Sequence, residues 1–125
     1  MATPTDTERP GDPRLDRRTY TTLIAHAMES PSAGQTWLWL EAAHVVGQRH
    51  LVPHLQTHWL MLRLALRTRD WPEAAGQAFR LALVPLGHLS GRLPLGNPGR
   101  STASAFAPMP VRPELLELIR QARGA

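Results

Sequence analysis

Four of the six histidines in the chain fall within fifteen consecutive residues, at His44, His50, His54 and His58. His54 and His58 are four residues apart, so on a helix they project from one face on successive turns. Glu41 and His44 are three residues apart, which is the Glu-x-x-His spacing of carboxylate-bridged metal sites in helical bundles. These residue types at these spacings predict a metal site with nitrogen and oxygen ligands.

A turn centred near Leu51 predicts that the two segments carrying these residues form an antiparallel helical hairpin. Such a hairpin places His44 level with His58, and Gln48 level with His54. With a rise of about 1.5 Å per residue, the polar groups spread over roughly 6 Å along the helix axes. We therefore predict metal ligands in the order His44, His58, His54 and Glu41.

The chain has no cysteine, so the donors of a metal site must be imidazole and carboxylate groups. For such ligands zinc ranks first, and iron, copper and manganese are alternatives. A bound ion of this kind polarises a substrate oxygen or activates water, which predicts Glu41, His44 and His58 as catalytic residues. Two other interpretations stay open: a buried polar network without a metal, in which Glu41 and His44 satisfy each other, and metal-free acid–base chemistry.

Two further histidines are candidate ligands. His88 lies in the segment VPLGHLSGR, and His26 lies on the first predicted helix. Each also fits an ordinary surface or core histidine.

A Gly- and Pro-containing segment, GNPGRS at 96–101, offers backbone N–H groups and an arginine to an anion. That combination suits a carboxylate or phosphate. It predicts a small polar or anionic substrate bound by Asn97, Arg100, Ser101 and the nearby Arg92. Glycine, asparagine, proline and serine are equally typical of a simple turn, and that alternative stays open.

The elements that must position these groups are predicted from apolar residues recurring at helical spacing. Asp70 fits the N-cap of a fourth helix, and Pro85 is expected to end or kink that helix. A last short helix follows from Glu114 to Arg123. The first three predicted helices are Leu15–Ser30, Gln35–Arg49 and His54–Arg69.

The predicted fold is a compact all-α antiparallel bundle of four main helices, with hairpin pairing similar to that of tetratricopeptide units. An irregular Pro- and Gly-rich segment, the strap (residues 93–112), is expected to pack on it. The predicted core residues are Leu38, Val45, Leu62, Leu66 and Phe79. At 125 residues the chain fits one domain, so we predict a flexible tail at 1–13 and a single helical domain at 14–125.

The net charge of +4 comes from fourteen arginines and no lysine, against ten acidic residues. The arginines are scattered among carboxylates rather than gathered in a basic stripe with aromatic residues, which argues against nucleic-acid binding. No apolar run approaches the roughly 18 residues of a membrane span, and the N-terminus has no apolar signal-peptide core. We therefore expect a cytoplasmic protein with no membrane partner, and the sequence leaves its oligomeric state open.

Three segments carry a resemblance to a known family. AHVVGQ, PHLQTHWLML and GRLPLGNPGRS, followed by FAPMP, resemble the AHxxGQ, PHxxTHxxML and GRxPxGNxGRS segments of a small bacterial family of unknown function. The resemblance covers about residues 36–111 and includes the candidate histidines and the Arg92–Ser101 segment. It implies no activity, but it does imply that the strap belongs to the same site as the histidines.

Two functions are consistent with these residues. The first is a small metal-dependent enzyme of hydrolase, lyase or cyclase type. The second is a non-catalytic helical interaction or metal-sensing module, whose histidines form a structural polar network. An open cleft over His44 and His58, lined by Arg92 and Arg100, is expected only for the enzyme.

Overall fold

The computed structural model describes residues 13–91, 97–103, 107 and 109–124. These residues contain helices and no strand, which confirms the all-α prediction. Most of the predicted tail at 1–13 lies outside the described residues, as does Arg92. The helices are α1 (Pro13–Glu29), α2 (Ala33–Gly47), α3 (Leu51–Arg67), α4 (Trp71–Ser90) and α5 (Pro113–Arg123).

Side-chain caps fix the starts of α2 and α4. The Ser32 hydroxyl accepts a hydrogen bond from the backbone N–H of Gln35 at 3.3 Å. The Asp70 carboxylate accepts one from the backbone N–H of Glu73 at 3.2 Å, so the predicted N-cap is confirmed. Each cap satisfies a donor that has no partner within the helix.

Two apolar clusters hold the helices together, and α2 contributes to both. The first joins α1, α2 and α5, and the second joins α1 and α2 to α3 and α4. The first consists of Tyr20, Leu23, Ala42, Ala43, Leu115, Ile119 and Ala122. The second consists of Ala27, Trp37, Leu40, Met61, Leu64, Ala65 and Ala74.

The predicted core is wrong at three positions and only approximate at two. Leu38, Leu66 and Phe79 are exposed by 36, 47 and 53%, whereas Val45 and Leu62 are half-buried against the clusters. The reason is that α2, α3 and α4 turn polar stripes inward. Their buried faces carry the candidate histidines and other polar side chains, so part of the apolar surface is left facing outward.

The predicted break at Pro85 is also wrong, because α4 continues through this residue to Ser90. Proline removes one backbone hydrogen bond of the helix. Contacts on both sides of it keep the helix in place: Val84 is buried, and His88 reaches α3 through a hydrogen bond. The helix ends instead at Gly91, which adopts the left-handed conformation with φ +73°.

The described part of the strap has no helix or strand, as predicted. Residues 97–103 pack between α2 and α4, and Val111 packs against the first cluster. None of the described helices is long and apolar enough to span a membrane.

Candidate metal centre

The three histidines of the α2–α3 hairpin meet in the interior of the molecule. His44 comes from the last turns of α2, and His54 and His58 come from the first two turns of α3. Nε2 of His44 lies 3.1 Å from Nε2 of His54 and 3.1 Å from Nε2 of His58. The side chains are only 1, 3 and 2% exposed. Within the described residues, these three form a group that could hold a metal ion.

The ring of His44 has a defined tautomer. Its Nδ1 lies 2.7 Å from the backbone carbonyl oxygen of Asn97. A carbonyl oxygen can only accept, so Nδ1 must carry the proton. The neutral ring therefore directs the lone pair of Nε2 toward the other two histidines.

The tautomer of His58 follows from the orientation of Gln77. The Gln77 amide donates through Nε2 to the backbone carbonyl of Gly99 at 2.9 Å, which leaves its Oε1 facing His58. Nδ1 of His58 lies 2.7 Å from that oxygen, so it must donate. The lone pair of His58 Nε2 then points at His44.

Two acceptor nitrogens therefore face each other across 3.1 Å with no proton between them. His54 does not alter this conclusion, because its Nδ1 shares a hydrogen bond with Nε2 of His88 at 3.0 Å and either ring can donate. Whichever nitrogen of His54 is protonated, the contact between His44 and His58 joins two lone pairs. A cation at the point where the Nε2 atoms converge removes that conflict.

Burial keeps the rings in the form that binds metals. Burial is the largest cause that lowers the pKa of all three imidazoles, and neighbouring imidazoles lower the pKa of His44 and His54 further. The pKa of His44 falls well below its usual value, that of His54 falls to about 3, and that of His58 falls to about 4. All three are neutral at pH 7, as ligating histidines must be.

The spacing of the nitrogens suits a small transition-metal ion. Zinc binds imidazole nitrogen at about 2.0–2.1 Å, so a tetrahedral ion separates its ligand nitrogens by roughly 3.3–3.4 Å. The two contacts of His44, at 3.1 Å, are shorter by a few tenths of an ångström, and the ligand atoms of all three histidines lie within 4.8 Å of one another. Side-chain rotations would have to adjust these distances for the three nitrogens to bind one ion. Metal-bound histidines also donate their second N–H to a fixed acceptor, as His44 and His58 do here.

A comparison with known protein families identifies the family of this chain. A family model described as a protein of unknown function (DUF3703) matches residues 17–119. The chain belongs to this family. The matched region includes the three histidines and their hydrogen-bonding partners Asn97, Gln77 and His88. Searches of curated proteins and of solved structures gave no match.

Glu41 of this DUF3703 chain does not belong to the group of described residues that could hold an ion. Its buried carboxylate accepts a hydrogen bond from Nη2 of Arg112 at 2.8 Å and lies 3.7 Å from Nη1 of Arg100. Burial raises the pKa of Glu41, and the two guanidinium groups oppose that rise. The structure thus pairs this predicted ligand with arginines, and its catalytic role stays a prediction.

The strap packs directly on the ring of His44. Gly99 has φ +87°, and a Cβ atom there would lie 2.7 Å from Cδ2 of His44. Only glycine accommodates both the positive φ and this close approach. The strap therefore shields the ring from water while the carbonyl of Asn97 orients it.

Arg100 and Ser101 are held by an acidic residue of α4. Nε of Arg100 donates to Oε1 of Glu73, and the backbone N–H of Ser101 donates to Oε2 at 2.7 Å. The guanidinium carbon of Arg100 also lies 3.8 Å from the ring centroid of Trp37. These cationic and N–H groups anchor the strap, and their predicted contact with substrate stays a prediction.

The side chain of Asn97 is buried and stabilises the turn that carries its own carbonyl. Its Oδ1 accepts from the backbone N–H of Gly99 at 2.9 Å, and its Nδ2 donates to the carbonyl of Ala107 at 3.2 Å. Its predicted role in substrate binding is likewise still a prediction.

The two other candidate histidines have different surroundings. His88 joins the cluster indirectly, through Nδ1 of His54. His26 is exposed and stacks on Trp39 with ring centroids 4.4 Å apart, so the structure does not bring it to the cluster.

Sequence reasoning missed Gln77 and the structural role of Glu73. Both lie on the buried face of α4, four residues apart, where they orient His58 and hold the strap. Glu73 lies three residues after the N-cap Asp70, where a carboxylate is also typical of a capping box, and this local role conceals its long-range partners. The available signal was a pair of polar residues at helical spacing on a face with Ala74 and Val84.

Proposed function

We propose that this DUF3703 protein binds a transition metal ion through Nε2 of His44, His54 and His58. The observation that carries the proposal is the pair of buried acceptor nitrogens 3.1 Å apart, each fixed by its partner on Nδ1. Zinc is the first candidate, because the donors are neutral imidazoles without sulfur. Iron, copper and manganese are the alternatives.

The first test is the metal content of protein purified without a histidine tag. We expect about one ion per chain, and loss of that ion in His44→Ala and in His58→Ala. His50→Ala is the matched control, because it removes an exposed histidine from the turn between the same two helices. Equal metal content in all four proteins would show that the ion binds elsewhere.

Three protein ligands also suggest what the ion does. Catalytic zinc sites commonly have three protein ligands and a water, whereas structural sites have four protein ligands. This count supports a metal-dependent enzyme of hydrolase, lyase or cyclase type, in which the ion would polarise a small polar substrate or activate water. Within the described residues, the burial of the three rings, which are only 1–3% exposed, and the packing of the strap on His44 do not form the open cleft expected for an enzyme and favour the second candidate.

The second candidate is a metal-sensing module without turnover. It is favoured by the hydrogen bonds that connect the rings of His44 and His58 to Asn97 and Gln77. Through them a bound ion would tighten the strap onto α2 and α4. His88 bears on the choice. It is bonded to Nδ1 of His54, the ring nitrogen other than the one that faces His44, so it would have to leave that bond to supply a fourth ligand.

Cobalt substitution distinguishes the two candidates. In the enzyme, azide should change the visible spectrum of the cobalt-loaded wild-type protein, because a fourth position is exchangeable. In the sensing module, azide should leave the wild-type spectrum unchanged. If His88 closes the site, His88→Ala should become sensitive to azide.

A further inference from the structure

The exposed surface of α4 is almost wholly apolar. Ser90 is the single exposed polar residue of this helix, and both of its charged residues, Glu73 and Arg80, are buried. The other exposed residues are called here the α4 face. They are Trp71, Pro72, Ala75, Ala78, Phe79, Ala82, Pro85, Leu86 and Leu89.

The spacing within the α4 face is that of a surface that packs against another helix. Ala75, Phe79, Ala82, Leu86 and Leu89 follow one another at intervals of four and three residues. Alternating intervals of this kind form the apolar seam of packed helices. The two alanines between larger side chains leave grooves that a facing ridge can fill.

The neighbouring helix α3 extends this surface. Val52, Trp59 and Leu66 are exposed at intervals of seven residues, and the half-buried Leu55 and Leu62 lie between them at the same three–four spacing. Helices α3 and α4 pack along each other, so their outward faces adjoin. Because α3 also exposes arginines, the charge-free part of the surface is centred on α4.

Charge is segregated away from this surface. The exposed faces of α1 and α5 carry charged residues of both signs, unlike the α4 face. These residues are Arg17, Arg18, Glu29, Glu114, Glu117, Arg120 and Arg123. A surface that lies in the plane of a membrane needs basic residues on its polar side. The α4 face has none, and the exposed arginines beside it are those of α3, Arg63 and Arg67. When two such apolar surfaces pack together, no charged group of the α4 face has to lose its contact with water. A second copy of the same surface is therefore the partner that fits.

The area is large enough for a stable dimer. On α4, Trp71, Phe79, Leu86 and Leu89 are exposed by 60, 53, 61 and 86%. Val52, Trp59 and Leu66 of α3 are exposed by 72, 52 and 47%, and with roughly 150–250 Å² for a large side chain the seven residues present on the order of 800 Å². Single exposed patches on monomers are usually a few hundred Å², and each partner of a standard interface contributes about 800 Å².

We infer that two copies of this chain associate through their α4 faces, with α3 at the edge of the contact. A twofold axis brings the same surface of both copies together, and each apolar seam packs on its equivalent. This inference does not depend on metal binding.

Light scattering of the full-length protein at micromolar concentration tests the association. We expect a mass of twice 13.9 kDa for the wild type and half that mass for Leu86→Glu. Leu116→Glu is the matched control, because Leu116 is 52% exposed on α5, and it should stay dimeric. Leu89→Glu repeats the test at a second exposed position, and circular dichroism checks that each variant is folded.

Two results would overturn the inference. One is a monomeric wild type, whether or not it binds vesicles of phosphatidylcholine and phosphatidylglycerol. The other is a folded Leu86→Glu or Leu89→Glu variant that keeps the full dimer mass.

Cross-linking places the contact on α4. The chain has no cysteine, and Ala82 lies midway along the seam, where a twofold axis brings it near its equivalent. Ala82→Cys should therefore form a disulfide-linked dimer with diamide, whereas Ala25→Cys, at an exposed position of α1, should not. Equal cross-linking of both variants, or none of Ala82→Cys, would contradict a dimer centred on the α4 face.

Discussion

The imidazoles of His44 and His58 are oriented by oxygen atoms that have no proton to give. The carbonyl of Asn97 and the amide oxygen of Gln77 fix both Nδ1 atoms as donors. Two long-range hydrogen bonds thus orient the rings so that the lone pairs of their Nε2 atoms point at one another. A buried arrangement of this kind is costly without a cation, which is why the three histidines are better explained as ligands than as a polar network.

Local rules are enough to bring the three histidines together, because helical spacing and a short turn determine their relative positions. They are not enough for Glu41, whose main partner, Arg112, is 71 positions away. The bonds of Asn97 to His44 and of Gln77 to His58 could not be predicted for the same reason, although Asn97 itself is a predicted site residue. Their roles depend on how α4 and the strap pack, and no short-range pattern encodes that packing.

The metal-free protein should lose stability on acidification because its histidines stay neutral only while folded. In the unfolded chain an imidazole has a pKa near 6.5, whereas the pKa values of His54 and His58 in the folded protein are about 3 and about 4. Between these values the unfolded chain binds more protons, so stability is flat above about pH 7 and falls below about pH 6.5. Each buried imidazole contributes a slope approaching 1.4 kcal/mol per pH unit.

Urea unfolding of protein treated with a chelator, measured from pH 7.5 down to about pH 4.5, checks this prediction. His54→Gln should reduce the dependence of the free energy of unfolding on pH by about the contribution of one proton. A free energy of unfolding that does not change over this range would show that the histidines are not buried as neutral rings.

At the scale of helices, the effect of a proline on helix continuity depends on the tertiary contacts of the residues around it. The sequence predicted a break at Pro85 from local rules, but Val84 is buried and His88 is bonded to His54. These tertiary contacts keep α4 continuous to Ser90. The helix types and approximate bounds follow from periodicity, whereas the fate of Pro85 depends on packing with α3.

Pro85→Ala should stabilise the protein. Pro85 is exposed on the single chain and is not one of the seam residues of the proposed dimer, so an alanine there loses little packing and restores the missing backbone hydrogen bond within α4. We expect a gain of about 1–3 kcal/mol in the free energy of unfolding, measured by urea denaturation. Pro72→Ala is the control, since proline is well tolerated in the first turn of a helix, and it should give no gain. A destabilised Pro85→Ala would mean that proline is needed to carry His88 to His54.

At the scale of the whole molecule, the usual relation between apolar residues and the core is partly reversed. Helices α2, α3 and α4 direct histidines, Gln77 and Glu73 inward and leave Trp59, Phe79 and Leu86 outside. This is why the predicted core was wrong at Leu38, Leu66 and Phe79, although the fold class was right. The spacing of apolar residues identifies a helix, but it does not distinguish a face that packs in the core from a face that is exposed on the single chain.

The same arrangement would make a bound metal ion a link between distant parts of the chain. His44 belongs to α2, His54 and His58 belong to α3, and their partners Asn97 and Gln77 belong to the strap and α4. An ion held by the three rings therefore joins all four parts in the folded state, and the unfolded chain has no preformed site for it. Binding should stabilise the folded protein by about 2.7 kcal/mol when free zinc is about 100 times the dissociation constant.

Urea denaturation at fixed protein concentration, with zinc and with a chelator, measures this stabilisation. His58→Ala should unfold at the same urea concentration under both conditions, because it lacks a ligand. His50→Ala should show the full shift, because its three ligands are intact. If zinc raised the midpoint of His58→Ala as much as that of the wild type, the ion would be acting at another site, and the hairpin histidines would not be the link between helices and strap.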